Sequence, residues 1–100
     1  MPILSTLSGD GTLTLRFAGR FDFRSREAFL RSYEECEREP AAFVVDLRDA
    51  EYVDSSALGM LLLLRDFAAS KGARVTLEHP RPLVARTLAA SDFGHWFTVA

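Results

Sequence analysis

The sequence predicts an α/β domain, with a mixed sheet of about four or five strands flanked by about three or four helices. Three observations carry that expectation. Between Thr12 and Ala18 apolar residues alternate with polar ones, the period of a half-buried strand. Between Ser25 and Glu39 they recur instead at the spacing of one helix face. Strand-like and helix-like segments then alternate to Val99, joined by short connections that leave room for right-handed crossovers. Residues 1–100 are expected to form one domain around one core.

Ile3 to Leu7 is expected to be a short strand, turned back by Ser8-Gly9-Asp10-Gly11 onto the next one. That second strand, Thr12 to Ala18, sets Leu13, Leu15 and Phe17 on one face and Thr12, Thr14 and Arg16 on the other, with Gly19 ending it. A helix is expected from Ser25, a candidate cap, to about Glu39, burying Ala28, Phe29, Tyr33 and Cys36 and stopped by Pro40. Ala41 to Leu47 is almost wholly apolar, which suits a central strand covered on both faces. Asp54-Ser55-Ser56 opens a second helix that runs through Phe67 and Ala69 to the Lys71-Gly72 stop. Arg74 to Leu77 alternates as a strand, Pro80 to Ala90 is expected to be a third helix with Pro82 in its first turn, and Trp96 to Val99 an edge strand.

Composition narrows the function classes. Hydrophobic residues make up 48% and charged residues 26%, the balance of a folded globular chain. The net charge of -2 arises from mixed signs without a basic block, so no direct nucleic-acid partner is expected. Cys36, the single cysteine, suits a reducing compartment and reads as a small core residue. The first residues lack the positive region of a signal peptide, and the run Met60 to Leu64 is far short of the ~20 residues of a membrane span. A cytoplasmic protein without membrane insertion is therefore expected. His79 and His95 have no ligand-spaced partner, and no Gly-x-Ser-x-Gly elbow accompanies the serines, so neither a metal, a cofactor nor a catalytic centre is expected.

The informative segment is Val44 to Gly59, VVDLRDAEYVDSSALG, in which a buried strand feeds a loop and then a helix N-terminus. With Gly19-Arg20-Phe21-Asp22 upstream and the same element order, it resembles the STAS family, and within it the bacterial anti-sigma factor antagonists, whose hallmark is Asp-Ser-Ser-Gly-Leu-Gly. Ala57 stands where that motif has glycine. The resemblance implies partner switching. The unphosphorylated protein would bind an anti-sigma factor that is also an ATP-binding serine kinase; phosphorylation of Ser55 would release it, and a serine phosphatase would restore it. It also implies a binding surface containing Asp22, Asp54, Ser55, Ser56, Leu58, Gly59 and Met60. A second function of the same fold is that of a small accessory subunit regulating a membrane transporter ATPase complex.

Physical chemistry makes Ser55 a reasonable acceptor. A phosphate of charge about -1.5 to -2 at a helix N-terminus faces unpaired N–H groups and the positive end of the dipole. The same residue types are also the favoured helix caps, worth about 1 kcal/mol, so from spacing alone these serines read first as caps; with the resemblance Ser55 reads as the acceptor and Ser56 as a cap or packing residue. The run Met60-Leu61-Leu62-Leu63-Leu64 goes all the way round a helix and cannot face one sheet throughout. Two stripes are expected, one with Leu58, Leu61, Leu62 and Arg65 and one with Met60, Leu63 or Leu64 and Phe67. One of them would be an interaction surface or lie under a neighbouring helix.

Overall fold

The computed structural model describes residues 3–36 and 38–100. Its N-terminal hairpin follows from turn chemistry. Gly11 takes φ +90, the Ser8 amide donates to the Thr12 carbonyl at 2.9 Å, and the Asp10 carboxylate accepts from the Thr12 amide at 3.0 Å. Strand β1 (Ile3–Leu7) therefore lies antiparallel to β2 (Thr12–Phe21), from Leu7 opposite Leu13 to Ile3 opposite Phe17.

Gly19 does not end β2. At φ +85 it sits in an irregular stretch of the pairing with the next strand, and β2 continues to the fully buried Phe21. A 3-10 turn, Phe23–Ser25, leads into α1 (Arg26–Glu34). This helix starts where expected, directly after Ser25, but ends at Glu34 rather than near Glu39. Ser25 is buried and makes no capping bond, whereas Asp22 caps the preceding turn. At the other end the position before Pro40 disfavours helix, and the chain turns back so that the Ala41 amide reaches the Gly11 carbonyl at 2.8 Å. Glu37, inside the expected helix, lies outside the described residues.

Strand β3 (Ala42–Val53) runs past Leu47 to the threshold of α2 (Ser55–Ser70), followed by β4 (Arg74–Glu78), α3 (Pro82–Ala90), a second 3-10 turn at Phe93–His95, and β5 (Thr98–Val99). Trp96 follows that turn, so the last strand is shorter than expected, and α3 starts at Pro82 rather than Pro80. The five strands lie in the order β1-β2-β3-β4-β5, with β1 antiparallel and the rest parallel. This is a mixed α/β sheet with β3 at its centre.

Each parallel step moves in the same direction across the sheet, and right-handed crossovers then put all three helices on one face. Burial agrees. Leu13, Phe43 and Val75, and Leu15, Val45 and Leu77, form cross-strand rows that are almost inaccessible, while Thr14, Val44 and Thr76 on the opposite face stay half-buried. The expectation that β3 is covered on both faces is corrected: it is covered on one. Below the helices, the rings of Phe17, Phe21, Phe29, Tyr33, Phe43 and Phe67 meet in sequence, with centroids 4.3 to 6.5 Å apart. Cys36 is half-buried against this core.

The apolar run in α2 divides differently from the expected stripes. Ala57, Met60, Leu61, Leu64 and Ala68 face the sheet, and Leu62 and Leu63 face outward, 37% and 46% exposed. Among the described residues no helix is long and apolar enough to cross a membrane.

Candidate functional site

The site lies at the C-terminal end of the parallel strands, where β2 and β3 finish side by side. Phe21 pairs with Val53, and the Asp54 amide donates to the Phe21 carbonyl at 3.3 Å. Asp22 and Asp54 thereby start two neighbouring turns. Each accepts from its own turn: Asp54 Oδ1 from the Ala57 amide at 2.9 Å, Asp22 Oδ1 from the Arg24 amide at 3.1 Å.

Because Asp54 is the cap, Ser55 and Ser56 are free of that duty. Ser55 is the first helical residue, both serines are exposed, and no hydrogen bond from either hydroxyl is found among the described residues. Ala57, in the position where the motif has glycine, is fully buried, so its methyl belongs to the core. Leu58 is half-buried against the core and Gly59 is exposed.

Two of the expected contact residues are not surface groups. Met60 is 3% exposed, because its place on α2 falls on the sheet-facing stripe. Asp22 is 6% exposed and is enclosed by arginines: Arg24 Nη2 lies 2.8 Å from its Oδ2, and Arg20 Nε 3.9 Å. The Arg24 hydrogen bond, helped by the charges of Arg24 and Arg20, outweighs desolvation and holds the Asp22 carboxyl below the ordinary value. Arg20 also stacks on Tyr52, its guanidinium carbon 4.5 Å from the ring centroid.

Sequence reasoning missed the neighbours that give this site its shape. Phe23, between the Asp22 cap and Arg24, is 67% exposed. Together with Arg26, Ser56, Gly59, Met60 and Leu63 it lines a shallow cleft of about 300 Å³, which Ser56 borders and Ser55 does not. Gly59 keeps it open, since a Cβ there would meet nothing within 4 Å. Nothing in the local pattern marks Phe23 as exposed; the 3-10 turn that Asp22 caps turns it outward. The arrangement offers an accessible serine hydroxyl beside an apolar depression. It contains no paired acid and base, and among the described residues no cluster of metal-ligating side chains.

Comparison with known proteins was made on this basis. The family model described as "Mlab, STAS domain" matches residues 5–99. A STAS-domain containing protein of Pseudomonas aeruginosa is 46% identical over 101 residues, covering 100% of both chains. Among solved structures, an anti-sigma factor antagonist of Thermotoga maritima superposes with TM-score 0.81 at 17% identity, over 97% of this chain and 84% of that one. A sulfate transporter family protein of Wolinella succinogenes gives 0.78 at 16% identity, over 90% and 74%. The phosphorylated Bacillus cell fate determinant SpoIIAA gives 0.66 at 19% identity, over 98% and 90%. At such identities the solved structures share the fold.

Proposed function

The chain belongs to the STAS domain family, and from that premise we propose that it is an anti-sigma factor antagonist switched by phosphorylation of Ser55. In this reading it is a cytoplasmic, non-enzymatic module. Its partners are an anti-sigma factor with ATP-dependent serine kinase activity and a serine phosphatase, and its output is control of transcription without contact to nucleic acid. The observation that carries the reading is the exposed Ser55 at the first position of α2, uncoupled from capping by Asp54 and next in the chain to Ser56, which lines the Phe23–Leu63 cleft.

The contact surface consists of Ser55, Ser56, Leu58 and Gly59, joined by Phe23 and Leu63, and the Asp54 cap lies at its edge. Asp22 and Met60 act from beneath: one fixes the turn that presents Phe23, the other floors the cleft. A phosphate on Ser55 fits the helix N-terminus without refolding. It would also place a solvated dianion one residue from the rim of an apolar depression, so a partner covering the cleft would have to desolvate it. Phosphorylation therefore turns binding off.

The test is intact-protein mass spectrometry after expression alongside the native host's kinases. Wild type should gain one phosphate and Ser55→Ala none. Ser55→Asp should bind the kinase partner more than about tenfold more weakly than wild type, a loss of at least ~1.4 kcal/mol. Equal binding by Ser55→Asp and wild type would sink the switch.

A second reading is an accessory subunit on a membrane transporter ATPase complex; that a sulfate transporter family protein has this fold favours an association with a transporter and does not bear on the ATPase. In that case Leu63→Glu would release the protein from a detergent-solubilised complex, and substitutions at Ser55 would leave the association unchanged.

A further inference from the structure

The two edges of the sheet are not alike. One ends in β5, only Thr98–Val99, which is too short to hold a further strand. The other ends in β1, Ile3–Leu7, in unbroken register with β2. Natural edge strands are blunted by a charge, a proline or a bulge, and Ile-Leu-Ser-Thr-Leu has none of these. Leu4, opposite Arg16 on the open face, is 64% exposed.

The turn fixes which backbone groups this edge offers. The Ser8 amide donates to the Thr12 carbonyl at 2.9 Å and the Gly11 amide to the Ser8 carbonyl at 3.1 Å, so Ser8 and Thr12 form a hydrogen-bonded pair. Such pairs alternate along an antiparallel ladder, which makes Thr6–Thr14 and Leu4–Arg16 the next ones. The amides and carbonyls of Ile3, Ser5 and Leu7 therefore point away from β2, and among the described residues no strand lies beyond them. Unpaired groups at every second residue ask for an extended strand.

A second copy of β1 is a strand they fit. Laid antiparallel about a two-fold axis at Ser5, the free groups of Ser5 meet those of the second Ser5, and those of Ile3 meet those of Leu7; any shift of the axis leaves some of them unpaired. On the covered face the half-buried Ile3 then lies against the second copy's half-buried Leu7. On the open face Leu4 lies against Thr6, and the two Leu4 side chains meet diagonally across the axis. Ser5 and Leu7 also line a cleft of about 390 Å³ with Arg31, Ser32 and Glu35 of α1, and the small Ser5 side chain leaves room there for Ile3 and Leu7 of the second copy. Because α1 runs back from β2, the axis sets the second α1 antiparallel to the first on the same side of the sheet. Its exposed side reads Glu27, Arg31, Glu35, a pattern of both signs that two antiparallel copies can match and a partner of a single sign cannot. We propose that two copies of this chain pair through β1 about Ser5, forming one sheet that runs through both. No residue of β1 belongs to the Ser55 surface, so the pairing is independent of the anti-sigma reading.

Sedimentation equilibrium of wild type should show a monomer of 11.2 kDa in reversible exchange with a species of twice that mass. Ser5→Pro removes only an outward amide, so it should keep the wild-type circular dichroism and stay a monomer. Leu4→Lys sets two ammonium groups diagonally across the axis; it too should keep the circular dichroism, and it should raise the dissociation constant by about tenfold or more. In a Cys36→Ser background, Ser5→Cys should oxidise to a disulfide-linked dimer, because a hydrogen-bonded pair holds its Cα atoms about 5.5 Å apart, within disulfide reach. Leu7→Cys, about 14 Å from its counterpart, should not. A wild type that is monomeric at every concentration overturns the proposal and leaves the edge to a strand of another protein. A dimer that survives both Ser5→Pro and Leu4→Lys with the fold intact, or that Ser5→Cys does not cross-link, overturns it in favour of another surface.

Discussion

Asp54 and Asp22 show how one residue type serves two ends at the same edge of the sheet. Asp54 caps α2 and so leaves Ser55 free; replacing it with alanine should cost about 1 kcal/mol in urea unfolding, and asparagine should recover most of that. Asp22 is ionised against Arg24, with its carboxyl held below the ordinary value of 3.8. A lowered folded-state pKa means the contribution is complete above 3.8 and is lost as pH falls from there through the folded value. The melting temperature of wild type should therefore drop as pH is lowered beyond that point. Asp22→Asn should start lower at neutral pH and show a shallower acid drop, and an unchanged acid slope would contradict the ion pair's contribution. That a cap lies within Asp54-Ser55-Ser56 was legible, because capping is a local rule; that it is Asp54 and neither serine was decided by the structure. The burial of Asp22 was not legible, because its arginine partners can be recognised only once the turn has formed.

On α2, each substitution should follow the side of the helix it falls on. Leu64→Ala, in the inaccessible stripe, should cost about 2–5 kcal/mol, as deletions of buried methyl groups do. Leu63→Glu, one residue earlier and 46% exposed, should change stability by no more than about 0.5 kcal/mol while weakening partner binding. Met60→Lys should unfold the domain, since it buries an unpaired ammonium beneath α2. Chemical denaturation of the three variants side by side separates core from contact surface. The five-residue apolar run announced that part of α2 must face outward. It gave no phase, because a helix that is apolar all round can be rotated without changing its pattern.

For the whole molecule, the one-sided stacking of helices leaves a polar-faced sheet, with Arg16 paired to Asp49 at 2.8 Å in the open and Asp46, which is buried, held by Arg48 at 2.9 Å. The opposite side collects the aromatic core. There Tyr33 is enclosed by rings, and burial, with a smaller effect of Glu34, pushes its phenol up to about 12. For a group raised in the folded state the contribution is complete below the unfolded value of 10.0 and is lost as pH rises through the folded one. Wild type should therefore lose stability between these values, and Tyr33→Phe should lose less over the same range, as alkaline melting curves would show.

By itself the sequence determined the order of the elements, the N-terminal hairpin, the central position of the strand expected at Ala41 to Leu47 and the place of Ser55 at a helix start. Each of these depends on residues within a few positions of one another: alternation, helical spacing, turn residues, a cap. Only the tertiary structure decided which face of the sheet is covered, which two leucines of α2 look outward, that Phe23 and Leu63 share a cleft, and that Ser5 and Leu7 line another with Arg31 and Glu35. Those properties belong to pairs of elements remote in the chain. Their relative placement is set by crossover handedness and packing, to which a local pattern is blind.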